Sequence, residues 1–96
     1  MPFKLTKPAL RDVAEIITYR HTHRGAAAAD QMEAYLFQVF RELAESPHLG
    51  HRRSDLTSKI VMFHYAEPYF ILFRRTKTRT QVLRVAHESR DLRKFL

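Results

Sequence analysis

The sequence predicts an α+β fold: an N-terminal strand, a helical hairpin, then a three-stranded antiparallel meander (β-α-α-β-β-β), with the helices packed on one sheet face. Three observations carry this. Two stretches of helical period follow one another with only Gly25 between them. After Gly50, three runs rich in β-branched and aromatic residues succeed one another across short turns. Ahead of the helices, Phe3-Lys4-Leu5-Thr6 alternates apolar and polar and is too short for anything but a strand. Strands joined by tight turns pair antiparallel, and two helices bury their stripes by lying on the sheet. The opposite face of the sheet is expected to be open.

Taken in order, Thr6 is placed to cap the first helix, and Pro8 is tolerated in a first turn whose backbone donors lack partners anyway. Leu10, Val13, Ala14 and Ile17 fall at i, i+3, i+4 and i+7, with Arg11, Asp12, Glu15 and Arg20 off that stripe; the helix should end near His23, before Gly25. The second helix is expected from Ala26 to Ser46, since alanines, Gln, Met, Glu and Leu are strong formers and Pro47 stops it. Met32, Leu36, Val39, Phe40 and Leu43 make its core face. Ala34, Phe37, Arg41 and Ala44 make a second stripe, filled either by the first helix or by a partner helix in an exposed groove, with Phe37 its largest anchor.

Residues 46–54 read as a loop. Lys59–Tyr65 and Tyr69–Arg74 read as strands joined by Ala66-Glu67-Pro68, and Thr76-Lys77-Thr78 leads into Thr80–His87. That last run has no Gly or Pro and should be a central strand, paired on both sides; the sequence does not fix the strand order, although the first strand beside the last would satisfy the short-connection rules. Ser89 is a candidate cap for a closing turn in which Leu92, Phe95 and Leu96 fold back onto apolar surface.

A chain of 96 residues buries about two-thirds of its unfolded surface, enough for one core, so residues 1–96 are expected to be one domain. With no cysteine there is neither a disulfide nor a thiolate metal site, and a reducing cytoplasm is the expected compartment. No run approaches the ~20 apolar residues of a membrane span, and Met1-Pro2-Phe3-Lys4 does not open like a signal peptide. The net charge of +7 is one-sided: residues 1–51 carry six Lys/Arg against six acids, whereas residues 52–96 carry eleven against four. Such a field attracts an anionic macromolecule, nucleic acid or an acidic protein segment.

The candidate contacts lie in that basic half. Arg74-Arg75-Thr76-Lys77-Thr78-Arg79 sets four positive charges at a tight turn, able to grip phosphates or merely to blunt a hairpin. By alternation Val82, Arg84 and Ala86 share one face of the last strand and Leu83, Val85 and His87 the other, making Arg84 a partly buried anchor for a carboxylate or phosphate. An enzyme reading rests on His87 as general base with Arg84, Arg74 and Arg90 stabilising a phosphorane, a metal-free ribonuclease. Against it, a strand-end histidine ordinarily hydrogen-bonds the turn that follows. His21/His23 and His48/His51 have no metal-ligand spacing, and no Gly-rich phosphate loop or nucleophile triad is present, so neither metal nor cofactor is expected.

The order Leu5-Thr6 opening a helix with Ala9 and Asp12, then Pro47-x-x-Gly50, Arg53-x-Asp55-Leu56, Tyr69–Arg74 and Arg84-Val85-Ala86-His87-x-x-Arg90-Asp91, resembles a ParE-type toxin of the RelE/ParE superfamily over nearly the whole chain. Two positions depart from that pattern: Val61 stands where many such sequences have arginine, and Asp55 where glutamate is usual. The resemblance implies the toxin of a type II toxin–antitoxin system. Its implied target is DNA gyrase, and its implied partner a ParD-like antitoxin with a ribbon–helix–helix DNA-binding domain, held in a hetero-oligomer. On this reading no bond is broken, and the contacts to antitoxin or target fall to Arg53, Arg74, Arg75, Lys77, Arg79, Arg84, Arg90 and Phe37. The alternatives are a RelE-like ribosome-dependent messenger-RNA endonuclease using His87, Arg84, Arg74 and Arg90, and a nucleic-acid-binding module without toxicity.

Overall fold

In the computed structural model, which describes residues 2–96, the elements follow as β1 (Phe3–Leu5), α1 (Lys7–Arg24), α2 (Ala26–Glu45), β2 (His51–Arg52), β3 (Met62–Ala66), β4 (Tyr69–Arg75), β5 (Thr80–His87) and a closing 3₁₀ turn, Leu92–Phe95. The sheet has five strands in the order β1-β5-β4-β3-β2; β1 runs parallel to β5, and the other pairs are antiparallel. The predicted meander is β3-β4-β5, and β5 is paired on both sides, with β1 as its second neighbour. The fifth strand, β2, escaped the sequence because it is two residues long, pairing His51 with Phe63 and Arg52 with Met62. Its partner β3 starts later than expected: Lys59 and Val61 donate to Thr57 Oγ1 and the Lys59 carbonyl in a turn, and Ile60 is 75% exposed.

The helix starts and stops are local chemistry. Thr6 Oγ1 accepts from the Ala9 amide at 3.2 Å, Pro8 sits in the first turn, and Gly25 ends α1 at φ 90° with its amide donating to the His21 carbonyl. Alpha2 buries the predicted face, Met32, Leu36, Val39, Phe40 and Leu43, against Leu5, Ile71, Phe73, Val82 and Val85 of the sheet. Each fully buried Leu or Phe here contributes about 1.5–3 kcal/mol of transfer free energy. Of the second stripe, Ala44 is buried and Phe37 half-buried beside Phe3 and Phe40, at ring distances of 6.1 and 5.3 Å, while Ala34 and Arg41 are exposed.

Alpha1 is rotated from the expected stripe. Ala9, Asp12 and Val13 are buried and Ile16 and Ile17 pack on the core, whereas Ala14 is exposed and Leu10 is 53% exposed. The cause is Asp12, an acid that helical periodicity assigns to solvent and that finds its partners on β5.

The second sheet face is covered, not open. Val61, Phe63 and Leu72 form a small cluster on which Leu56, Phe70, Leu83, Leu92, Phe95 and Leu96 pack, so the loop before β3 and the chain end together roof it. Asp91, not Ser89, caps the closing turn, its Oδ1 accepting from the Arg93 amide at 3.1 Å.

Candidate functional site

The site grows from a shortfall in the sheet. Beta1 pairs only Phe3, Lys4 and Leu5 with Thr80, Gln81 and Val82, so the remaining half of β5 would show a row of unpaired backbone groups. The start of α1 takes over that edge. The Thr6 amide donates to the Val82 carbonyl at 3.0 Å, Thr6 Oγ1 donates to the Leu83 carbonyl at 2.9 Å, and Asp12 Oδ2 accepts from the Val85 amide at 2.9 Å. Beta5 also carries a bulge: Val82 opposes Phe73 and Arg84 opposes Leu72, leaving Leu83 as the extra residue. Simple alternation therefore fails at Leu83, and Val82 and Val85 both face the helices.

Arg84 is met by this chain's own carboxylate. Its Nε and one NH₂ reach the two Asp12 oxygens at 2.8 and 2.9 Å, a bidentate pair whose hydrogen bonds hold the guanidinium pKa above its usual value. The Arg84 guanidinium carbon lies 4.5 Å from the Phe95 ring centre and that of Arg90 lies 5.4 Å from it, so two cations flank one aromatic ring.

Beside this pair a cleft of about 930 Å³ opens between α1 and the end of β5. Arg11, Arg20, Arg24, Arg84 and Arg90 line it, with the carboxylates of Asp12 and Glu15. Tyr19 and His23 stack at its α1 end, 4.0 Å between ring centres and 25° between planes. His23 Nδ1 lies 2.9 Å from the Tyr19 carbonyl, which only accepts, so that nitrogen carries a proton. Three of the five arginines come from the charge-balanced half of the sequence, since balance along the chain is not balance in space. They escaped sequence reading, although the seven residues 18–24 carry no aliphatic side chain and pair Tyr19 with His23 and Arg20 with Arg24 at i, i+4.

Of the residues singled out in the sequence, Arg84, Arg90 and His87 line this cleft together, and Arg74 does not: its Nε donates to Gln81 at 2.8 Å on the other side of the bulge. His87 bonds the turn after it. Its Nδ1 accepts from the Ser89 amide at 3.1 Å and lies 2.8 Å from Ser89 Oγ, which leaves the proton of the neutral ring on Nε2. Arg75 directs one NH₂ to the carbonyls of Leu43, Ser46 and Leu49, at 3.1, 2.9 and 3.1 Å, at the C-terminal end of α2 and the loop after it, where backbone acceptors lack helical partners. Lys77 and Arg79 are exposed at the β4–β5 turn. Arg53 binds Asp55 bidentately at 3.0 and 2.9 Å, an exposed pair that raises the arginine pKa and lowers the aspartate's. Val61, at the departure from the family pattern, is buried under the loop before β3. Among the described residues no group of three His, Asp or Glu is arranged to hold a metal, and no helix is long and apolar enough to cross a membrane.

Two of the other shifted groups, Tyr65 and His64, lie on β3. The Tyr65 hydroxyl donates to Glu88, which pushes its pKa up to about 12 and ties β3 to the turn beyond β5. Burial pushes His64 on β3 below the ordinary 6.5, with Glu42 opposing and His51 adding to the shift. A ring whose folded pKa is depressed lets the unfolded chain take the proton first as pH falls, so stability is full above pH 6.5 and declines below it until the folded ring protonates too. Much of the ring is wet, so the loss should stay under about 1 kcal/mol. The urea midpoint is expected to be lower at about pH 5.5 than at about pH 7.5, with a smaller difference in His64→Gln.

Comparison with known proteins gives a family model and a solved structure. The model for the "ParE toxin of type II toxin-antitoxin system, parDE" matches residues 3–92. A chain of the "Chromosomal ParDE TA system from P. aeruginosa" has the same fold, with a TM-score of 0.76 at 20% sequence identity over 91% of this chain and 95% of that one. No curated protein matches.

Proposed function

Since this chain belongs to the ParE toxin family of type II toxin–antitoxin systems, we propose that it acts in the cytoplasm by binding and inhibiting DNA gyrase. In this reading a cognate ParD-like antitoxin, itself carrying a ribbon–helix–helix DNA-binding domain, neutralises it in a hetero-oligomer. The observation that favours binding over RNA cleavage is the state of the groups a ribonuclease would need. Arg84 is held by Asp12, the lone pair of His87 is taken by Ser89, and Arg74 is turned to Gln81. Arg90 remains as a cation in the same cleft, but the base is missing: the only imidazole of the set has its acceptor nitrogen occupied, and a general base must be free to take its proton.

The test is induction of the chain with and without the neighbouring reading frame, together with supercoiling by purified gyrase. Growth should stop without the antitoxin, supercoiling should fall as toxin is added, and His87→Ala should leave both effects in place. Transcripts cut on induction, with cutting abolished by His87→Ala, would overturn the reading in favour of a messenger-RNA endonuclease.

A further inference from the structure

The cleft between α1 and β5 joins a set of arginines to a stacked aromatic pair. Its cations are all guanidinium groups, with no lysine among the described lining residues. A guanidinium is planar, permanently charged, matches two phosphate oxygens at once and stacks flat on ring faces; an ammonium is a compact point charge without that fork or plane. Arg84 is committed to Asp12, which leaves Arg11, Arg20, Arg24 and Arg90 facing the single carboxylate of Glu15. Arg20 and Arg24 are one helical turn apart, about 5–6 Å between β-carbons. Next to them Tyr19 is 65% exposed, backed by the His23 ring.

We propose that this cleft binds a phosphodiester strand with unpaired bases, its phosphates held by Arg20 and Arg24 and one base lying on Tyr19. An acidic peptide would satisfy the guanidinium groups but has no use for the flat aromatic face, and a closed duplex offers no base to lay on it. Base–aromatic stacking beside a cationic track is the general means of holding single strands without reading their sequence. The site stands on this geometry and is independent of the gyrase reading.

The experiment is fluorescence anisotropy with the full chain and four labelled probes over a salt series: oligo(dT), oligo(U), a DNA duplex of equal length and oligoglutamate. Both single strands should bind, with affinity falling steeply with salt. Arg20→Gln with Arg24→Gln should lessen the log–log salt slope by about 1.4, two contacts at about 0.7 each. Tyr19→Ala should weaken the single strands about tenfold with the slope unchanged and no effect on duplex. Preference for oligo(dT) assigns the strand as DNA, preference for oligo(U) as RNA, and parity means that the sugar is not read. Because these side chains lie on the outside of α1, circular dichroism melts should match the parent protein. Oligoglutamate binding as tightly as the strands, no strand binding at low salt, or full strand affinity in Tyr19→Ala overturns the proposal. A chain that inhibits gyrase yet binds no strand defeats this inference alone, and one that binds strands yet spares gyrase defeats only the earlier reading.

Discussion

Asp12→Ala lowers the unfolding free energy by about 2–4 kcal/mol, a large fraction of the ~5–15 kcal/mol that holds a domain of this size together. The carboxylate does two jobs at once. It neutralises Arg84 through two hydrogen bonds, and it accepts the Val85 amide at the point where β1 has run out. Removing it strands a partly buried guanidinium and leaves a buried N–H without an acceptor, two losses of the kind that dominate severe point mutants. The lower end of the range reflects Arg84, whose side chain keeps 30% of its exposure and is therefore partly solvated. Three variants separate the roles in urea denaturation. Asp12→Asn keeps one acceptor and should lose less than Asp12→Ala. Asp12→Ala with Arg84→Met removes the stranded charge and should recover part of the loss, leaving about 1–2 kcal/mol for the orphaned Val85 amide. A double variant no better than Asp12→Ala would show that the stranded guanidinium costs nothing.

Gly50→Ala is expected to cost a similar amount, about 2–5 kcal/mol, by a different route. Gly50 has φ +88°, and a β-carbon there would stand 2.4 Å from Phe73 Cζ and 2.9 Å from Cε1. Phe73 is fully buried, so its ring has nowhere to retreat. Left-handed backbone contributes about 1–2 kcal/mol and overpacking about 1–3. Gly25 is the matched control: its φ is +90° and nothing lies within 4 Å of the same added atom. Gly25→Ala should therefore show the backbone cost alone, a fall in Tm of about 4–8 °C per kcal/mol, and Gly50→Ala a fall about twice as large. Equal shifts would mean that the Phe73 contact is relieved at no cost.

These two sites mark where sequence reading succeeds and where it stops. Thr6, Gly25 and the α2 face were legible because capping, left-handed turns and helical period are decided within a few residues. Beta5 as a doubly paired strand was legible from its composition. The contact of Asp12 with Arg84 spans 72 residues and appears only once the fold brings α1 against β5. The bulge at Leu83 depends on the partner strand, and alternation counted along β5 alone put Val82 and Val85 on opposite faces. The spacing of Leu92, Phe95 and Leu96 announced a closing turn, but not that it would roof the second sheet face. In the same way the cleft gathers arginines from both halves of a chain whose charge, counted linearly, belongs to one.

The edge of β5 is hemmed by a helix, through one hydroxyl and one carboxylate, where most sheets rely on a further strand or a guard of lysines. Self-association is thus restrained there by the attachment of α1, not by surface charge. Were the first turns of that helix to lift, an extended chain with bare amides would be uncovered while the rest of the sheet still stood, and clumping is expected to begin ahead of the main melting transition.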